Sequence, residues 1–113
     1  MKQHVSVEEI YKLNSEMQLK LAKILYPNKK WQCWVWSDVA KLLTIGKLFE
    51  ILETQFVKDN QSAKLDIEYD EGYHIWIFEY NSKDNILNES CFFKKIETDI
   101  LIDALWEAIK EIL

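Results

Sequence analysis

One stretch of the chain, residues 64–80 (KLDIEYDEGYHIWIFEY), constrains the fold more than any other. Polar and apolar residues alternate over 64–69 with the period of two that is typical of a strand with one buried face. Residues 70–72 (Asp-Glu-Gly) have turn composition, and residues 73–80 continue as a second β-rich run. The sequence therefore predicts a β-hairpin at the centre of the fold.

The second strand of this hairpin is apolar on both of its faces. A strand that is wet on one face alternates between polar and apolar residues, whereas a strand that is covered on both faces need not alternate. We therefore expect something to pack on each side of the sheet. The two predicted faces are Tyr73, Ile75 and Ile77 on one side and Trp76, Phe78 and Tyr80 on the other.

The segment before Pro27 has the pattern of an amphipathic helix. Ser6 and Glu9 form a capping box, in which each side chain can bond the backbone amide of the other residue. The helix should end by Tyr26, because a proline disfavours helical geometry in the residue before it. Its apolar stripe has helical spacing: Ile10, Leu13, Met17, Leu21 and Ile24.

Two further helices are predicted, one on each side of the hairpin. Ser37 is a good cap and Asp38 a favourable first-turn residue for a helix that reaches about residue 55. Gly46 lies inside this helix and marks either a kink or a break into two shorter helices. The last helix should begin near Thr98, which we expect to act as its cap.

Shorter segments complete the pattern. Residues 58–63 read as a polar connection, 81–85 as a second turn, and 89–95 as a third strand. Residues 31–36 (WQCWVW) are either a fourth short strand or an extended lead into the next helix, and the lead-in is the preferred interpretation. Three antiparallel strands joined by short turns would form a meander.

The predicted fold class is α+β, in the order α-α-β-β-β-α, within a single domain spanning 1–113. Because the central strand is apolar on both faces, an α/β/α sandwich is the most economical arrangement. The alternative is a two-layer fold in which a partner chain covers one face of the sheet.

Charge is distributed unevenly along the chain. Residues 1–63 carry nine lysines and seven acids, whereas residues 64–113 carry five lysines and twelve acids, a net of −7. There is no arginine, the residue best suited to phosphates and base edges. Direct nucleic-acid binding is therefore disfavoured. With no apolar run long enough for a membrane span and no signal-peptide pattern, we expect a soluble cytoplasmic protein.

No motif for catalysis, metal binding or cofactor binding stands out. The chain has neither a nucleophile elbow nor a glycine-rich phosphate loop. The nitrogen and sulfur ligands, His4, His74, Cys33 and Cys91, are not paired at metal-binding spacings. We therefore expect neither enzymatic activity nor a cofactor nor a metal, and we expect the cysteines to be reduced.

Part of the chain resembles the small phage-encoded ABA sandwich domains. The similarity covers roughly residues 31–113 and lies in a Trp-Ser-Asp lead into a helix, a hairpin with an aromatic second strand, and a closing helix rich in Ala and Leu. The cysteine-containing, alanine-rich closing helix of that family is missing here. The resemblance implies a phage or prophage origin and brings no established activity or site residues. The residues that carry it are Trp36, Ser37, Asp38, Ala104, Leu105 and Ala108.

Two functional hypotheses follow from these patterns. In the first, the chain is a non-enzymatic interaction protein, for example an inhibitor, that binds a host protein through an acidic surface formed by Asp66, Glu68, Asp70 and Glu71. In the second, it binds a small ligand or nucleotide on an aromatic platform formed by Trp31, Trp34 and Trp36. The outer meander strands also leave edges that could pair across a two-fold axis, so a homodimer is a further expectation.

Overall fold

The computed structural model describes residues 2–27, 35–55, 61–81 and 86–113. In these ranges the predicted α+β class and the order of helices, meander and closing helix are confirmed. The two helical segments expected before the hairpin are each divided in two. The elements are α1 (Val7–Tyr11), α2 (Ser15–Leu25), α3 (Trp36–Leu42), α4 (Ile45–Thr54), β1 (Gln61–Tyr69), β2 (Tyr73–Asn81), β3 (Ile86–Ile96) and α5 (Leu101–Ile112).

The first helical segment begins as predicted and then breaks. Both bonds of the capping box are present: the Ser6 hydroxyl accepts from the Glu9 amide, and the Glu9 carboxylate accepts from the Ser6 amide. The helix does not run on to Tyr26, because Asn14 starts a second helix. The Asn14 side chain accepts a hydrogen bond from the Met17 amide at 2.8 Å, which is the bond of an N-cap.

A side chain from α2 bonds two carbonyl groups at the break, of which the Ile10 carbonyl also accepts from the Leu13 amide at 3.0 Å. Gln18 Nε2 donates to the Ile10 carbonyl at 3.1 Å and to the Leu13 carbonyl at 3.3 Å. Leu13 itself is buried at the break, so the apolar stripe continues across it. The two short helices therefore bury one face, as a single helix would.

The second helical segment also breaks, two residues before Gly46. Thr44 is the N-cap of α4, and its hydroxyl accepts from the Lys47 amide at 3.4 Å. The segment begins two residues earlier than expected: Ser37 lies in the first turn of α3, and Val35 is the N-cap without a side-chain bond. Asp38 is in the first turn, as expected.

The closing helix begins later than predicted. Ile100 is the N-cap of α5 and makes no side-chain cap bond. Thr98, the predicted cap, instead accepts a hydrogen bond from the Ile100 amide at 3.1 Å within the preceding turn. The acid in the first turn of α5 is Asp103.

The sheet is the predicted antiparallel meander, in the order β1-β2-β3. The outer strands are longer than expected. Residues 61–63, predicted to be a connection, belong to β1, and β3 begins at Ile86, three residues before its predicted start. Of the proposed strand at 31–36, residues 31–34 lie outside the described residues and Trp36 is helical.

The two faces of the sheet differ in what covers them. The inner face carries Ile75 and Ile77, both fully buried, with Leu65, Ile67 and Ile96 beside them. Each of the five helices contributes buried side chains to the cluster that contains Ile75 and Ile77. The opposite face, called the open face below, carries Asp66, Glu68, His74, Trp76, Phe78, Phe93 and Lys95.

Among the described residues the fold therefore has two layers. The apolar side chains of the open face are not part of the core cluster, and Phe93 is 52% exposed. The layers of the described residues thus match the two-layer alternative, while the α+β class and strand order match the main prediction. The second apolar face of β2 is real, but no described helix covers it.

Candidate functional site

The four predicted acidic residues are brought to one corner of the sheet. Asp66 and Glu68 project from β1 on the open face, and Asp70 and Glu71 lie in the turn that follows. All four side chains are exposed. In the described parts of the chain none of them forms an ion pair.

The turn that carries these acids is held against the end of β3. Glu71 has φ 52° and Gly72 has φ 125°, so both have backbone conformations that favour glycine. A Cβ atom on Gly72 would lie 2.7 Å from the Ile96 carbonyl oxygen. The absence of a side chain at Gly72 is therefore what allows the turn to approach the backbone that leads out of β3.

This close approach adds two acids that the sequence analysis did not single out. Glu97 and Asp99 follow β3 and lie beside the turn, where they help to line an open groove of about 400 Å³. Their position follows from the pairing of Tyr73 with Ile96, which places the residues after β3 next to the turn before β2. The sequence analysis did not predict the register of this pairing. The groove is lined by Tyr69, Glu71, Gly72, Glu97, Thr98 and Asp99.

The acidic hairpin end is the name used below for Asp66, Glu68, Asp70, Glu71, Glu97 and Asp99. Its carboxylates are exposed, and Tyr69, 57% exposed, stands at the rim of the groove. Carboxylates beside an exposed aromatic ring are suited to a lysine or arginine side chain, which gains both charge pairing and a cation–π contact. The described residues contain no group of three or more His, Cys, Asp or Glu side chains arranged to hold a metal.

The predicted tryptophan platform can be located only in part. Trp31 and Trp34 lie outside the described residues. Trp36 is half-buried and packs against the core cluster, which leaves less of its ring for a ligand. Trp106 is 2% exposed and belongs to the core.

A different aromatic group lies on the open face. The aromatic cluster consists of His74, Trp76 and Phe93. The His74 and Trp76 rings are stacked with centroids 5.7 Å apart, and Phe93 lies 5.3 Å from Trp76. His74 Nε2 also lies 3.1 Å from the Asp70 carbonyl oxygen, which ties the cluster to the turn. The sequence placed Trp76 on a second apolar face and left open whether a helix or a partner chain covers that face.

A larger groove, of about 620 Å³, lies between α5, the N-terminal segment and the end of β3, and two of the four lysines that line it are ion-paired. Lys2 Nζ lies 2.5 Å from both Glu9 Oε1 and Asp103 Oδ1, and Lys94 pairs with Glu111. The other two, Lys12 and Lys95, are exposed and form no ion pair among the described residues.

Partial burial disfavours the charged forms of Lys2 and Glu9, but the hydrogen bonds that they form favour the charged forms more strongly. For Lys2, bonds to Asp103 and Glu9, together with their negative charges, overcome burial and raise the pKa above its ordinary value of 10.5. For Glu9, bonds from Lys2 and Ser6 overcome burial and lower the pKa below its ordinary value of 4.5. The contact thus ties the N-terminal segment to α5.

In comparisons with known proteins, no protein family, no curated protein and no solved structure matches the chain. The resemblance to phage ABA sandwich domains therefore stays a prediction. In the described ranges no helix is both long and apolar enough to cross a membrane.

Proposed function

We propose that this chain is a non-enzymatic interaction protein, of phage or mobile-element type, that binds a basic surface of another protein through its acidic hairpin end. The observation that carries the proposal is a groove lined by the exposed carboxylates of Glu71, Glu97 and Asp99, with Asp70 in the same turn and Asp66 and Glu68 exposed on the strand that leads into it. Such a concentration of one sign of charge raises the rate of encounter with an oppositely charged partner.

The groove at this end supplies specificity that charge alone does not. A single exposed ion pair is worth about 0–1 kcal/mol, so scattered acids would bind weakly and without selectivity. A lysine or arginine side chain in the groove would meet Glu71, Glu97 and Asp99 around it and the Tyr69 ring at its rim. By covering a basic surface of a host protein, the chain would act as an inhibitor of whatever that surface normally binds.

Nucleic acid is a poor partner for the same end. Phosphates would face the carboxylates of Asp66, Glu68 and Glu71, and the chain contains no arginine to offset them. The net charge of −5 acts in the same direction at longer range.

The proposal is tested by reversing charge at the turn. The double variant Asp70→Lys, Glu71→Lys leaves the strands intact, and we expect it to reduce capture of the partner from host lysate by tenfold or more. The control is Glu50→Lys, Glu53→Lys, which makes the same change of charge on exposed positions of α4. Circular dichroism of both variants checks that the fold is kept.

The contrast between the two variants decides the matter. Equal loss of capture in both would mean that net charge, and not this surface, governs binding. Unchanged capture in the turn variant and in the variant with Asp66, Glu68, Asp70 and Glu71 all reversed would overturn the proposal. Elution of the partner by moderate salt is a further expected outcome, because exposed charge contacts are screened by salt.

The aromatic cluster supports a second candidate, the binding of a planar small ligand or nucleotide by stacking. Trp76 presents a half-buried ring on the open face, and stacking on such rings is worth about 1–3 kcal/mol per base. The adjacent carboxylates of Asp66 and Glu68 disfavour phosphates, so this candidate ranks second. A tryptophan-fluorescence titration with a nucleotide panel, repeated on Trp76→Phe, would show quenching only in the unchanged chain; a flat titration removes the candidate.

A further inference from the structure

The open face has the composition of a protein-interaction surface. It carries the aromatic cluster, in which Phe93 is 52% exposed and His74 and Trp76 are half-buried, whereas the inner face buries Ile75 and Ile77 completely. Contiguous exposed apolar surface of this kind marks interaction sites in proteins.

Strand register places the charges of this face at opposite edges. Glu68 of β1, His74 of β2 and Lys95 of β3 stand in one row, because Glu68 pairs with His74 and His74 pairs with Lys95. The next row holds Trp76 between Asp66 and Phe93. Over these two rows the face therefore has a negative β1 edge, formed by Asp66 and Glu68, and, at Lys95, a positive β3 edge, with rings between them.

Such a face is complementary to a second copy of itself in one orientation. A two-fold axis parallel to β2 lays β1 of one copy over β3 of the other and keeps the rows aligned. Glu68 of each copy then lies opposite Lys95 of the other, and the aromatic clusters meet at the centre. An axis perpendicular to the strands would instead lay β1 over β1, so that the strand carrying Asp66 and Glu68 would face its own copy, and charge therefore favours the first orientation.

We propose that the open face is covered by a second copy of this chain, stacked sheet on sheet about a two-fold axis parallel to β2. In this dimer Glu68 pairs with Lys95 of the second copy at both edges. The arrangement differs from pairing of the outer strand edges, because it uses the face of the sheet. It completes the layer that the sequence predicts over the second apolar face of β2.

The size of the face sets the expected strength. Three strands of at least nine residues give a projected area of about 400 Å², from a rise of about 3.3 Å and a strand spacing of about 4.8 Å. A standard interface buries about 800 Å² per partner, so we expect a weak dimer with a dissociation constant in the micromolar range.

Two consequences of the two-fold axis oppose the dimer. Asp66 of each copy faces Phe93 of the other and gains no partner charge there, and the two acidic turns are brought together. The two hairpin turns come to the same end, so Asp70 and Glu71 of both copies are neighbours. Stacked sheets lie about 10 Å apart, which is about one Debye length at 0.1 M salt, so this repulsion is largely screened. The Glu68–Lys95 pairs are at contact distance and are screened less. The dimer would cover Asp66 and Glu68, and it would bring the two grooves lined by Glu71, Glu97 and Asp99 to the same end.

A charge swap tests the proposal. Sedimentation equilibrium over a dilution series should show the unchanged chain passing from monomer to dimer. We expect Glu68→Lys and Lys95→Glu each to weaken the dimer by about tenfold or more, since each replaces two attractions by two repulsions. The double variant Glu68→Lys, Lys95→Glu should restore dimerisation to within a few-fold of the unchanged chain.

Matched controls separate the open face from the rest of the molecular surface. Glu53→Lys and Lys41→Glu make the same single charge changes on exposed helical positions and should leave the dimer unchanged. A chain that stays monomeric throughout the series overturns the proposal. Dimerisation that is unchanged in both single variants also overturns the proposal, and it would indicate pairing of strand edges. A double variant that does not recover dimerisation overturns the proposal as well. A monomer that still captures its partner would leave the proposed function standing.

Discussion

The two glycines of this chain have opposite backbone requirements, and this difference can be measured. Gly72 has φ 125°, and a Cβ atom there would lie 2.7 Å from the Ile96 carbonyl oxygen. Gly46 lies in α4, and its Cβ would meet nothing within 4 Å. We expect Gly72→Ala to lower the free energy of unfolding by about 2–3 kcal/mol and Gly46→Ala to raise it by about 0.5–1 kcal/mol.

Urea denaturation followed by circular dichroism gives both values on the same footing. Each variant is the control for the other, because the chemical change is identical. A neutral Gly72→Ala would mean that the turn does not approach β3 as closely as the structure has it. The acidic groove would then lose the geometry on which the proposed function depends.

A second prediction at the scale of residues concerns the ion-paired Lys2. Because the pKa of Lys2 is raised in the folded state, the Lys2 contact stabilises the fold fully below pH 10.5. This stabilisation is lost as the pH rises through the folded-state pKa. The lowered pKa of Glu9 means a contribution that is present above pH 4.5 and is lost as the pH falls through its folded-state pKa. The contact should therefore stabilise the fold between these limits.

Replacing Lys2 exposes this dependence. We expect Lys2→Met to lower the free energy of unfolding by about 1 kcal/mol at neutral pH, since the three side chains are partly exposed and screened. The difference should shrink below pH 4.5 and above pH 10.5. Lys12→Met, at an exposed position, is the control. A difference that does not vary with pH would show that Lys2 acts through packing of its side chain alone.

At the scale of elements, the helix breaks depend on single polar side chains. The Asn14 side chain bonds the Met17 amide, so we expect Asn14→Ala to cost about 1 kcal/mol and Asn14→Asp, which keeps an acceptor, to cost far less. Ser15→Ala, at the adjacent exposed position, should be close to neutral. Chemical denaturation of the three variants checks the order, and an equal loss in all three would contradict the capping role.

Periodicity predicted these helical segments but not their division. The stripe through Leu13 and Leu21 continues across the break, because both side chains are buried on the same side. Hydrophobic periodicity shows only which side of a segment is buried. It cannot show that the Met17 amide bonds the Asn14 side chain, which starts a new helix. The strands were easier to predict, since alternation fixes their faces and a short turn fixes their register.

At the scale of the whole molecule, most of the sheet and part of the candidate site could be predicted from the sequence. The acids of β1 and the turn were identified directly, because their spacing is local. Glu97 and Asp99 required the knowledge that β3 ends beside that turn. Whether the second face of β2 is covered depends on where five helices pack, and no local pattern carries that information.

The two-layer arrangement makes a prediction about two tryptophans of the same chain. Trp106 is 2% exposed in the core, so we expect Trp106→Ala to cost about 3–5 kcal/mol, a large part of the stability of a small domain. Trp76 is half-buried on the open face and contacts His74 and Phe93, so Trp76→Ala should cost only about 1 kcal/mol in the dilute monomer. Circular dichroism in urea measures both, since it does not depend on the replaced fluorophore. An equal cost for the two substitutions would mean that a further layer covers Trp76, and the open face could not then receive a second copy.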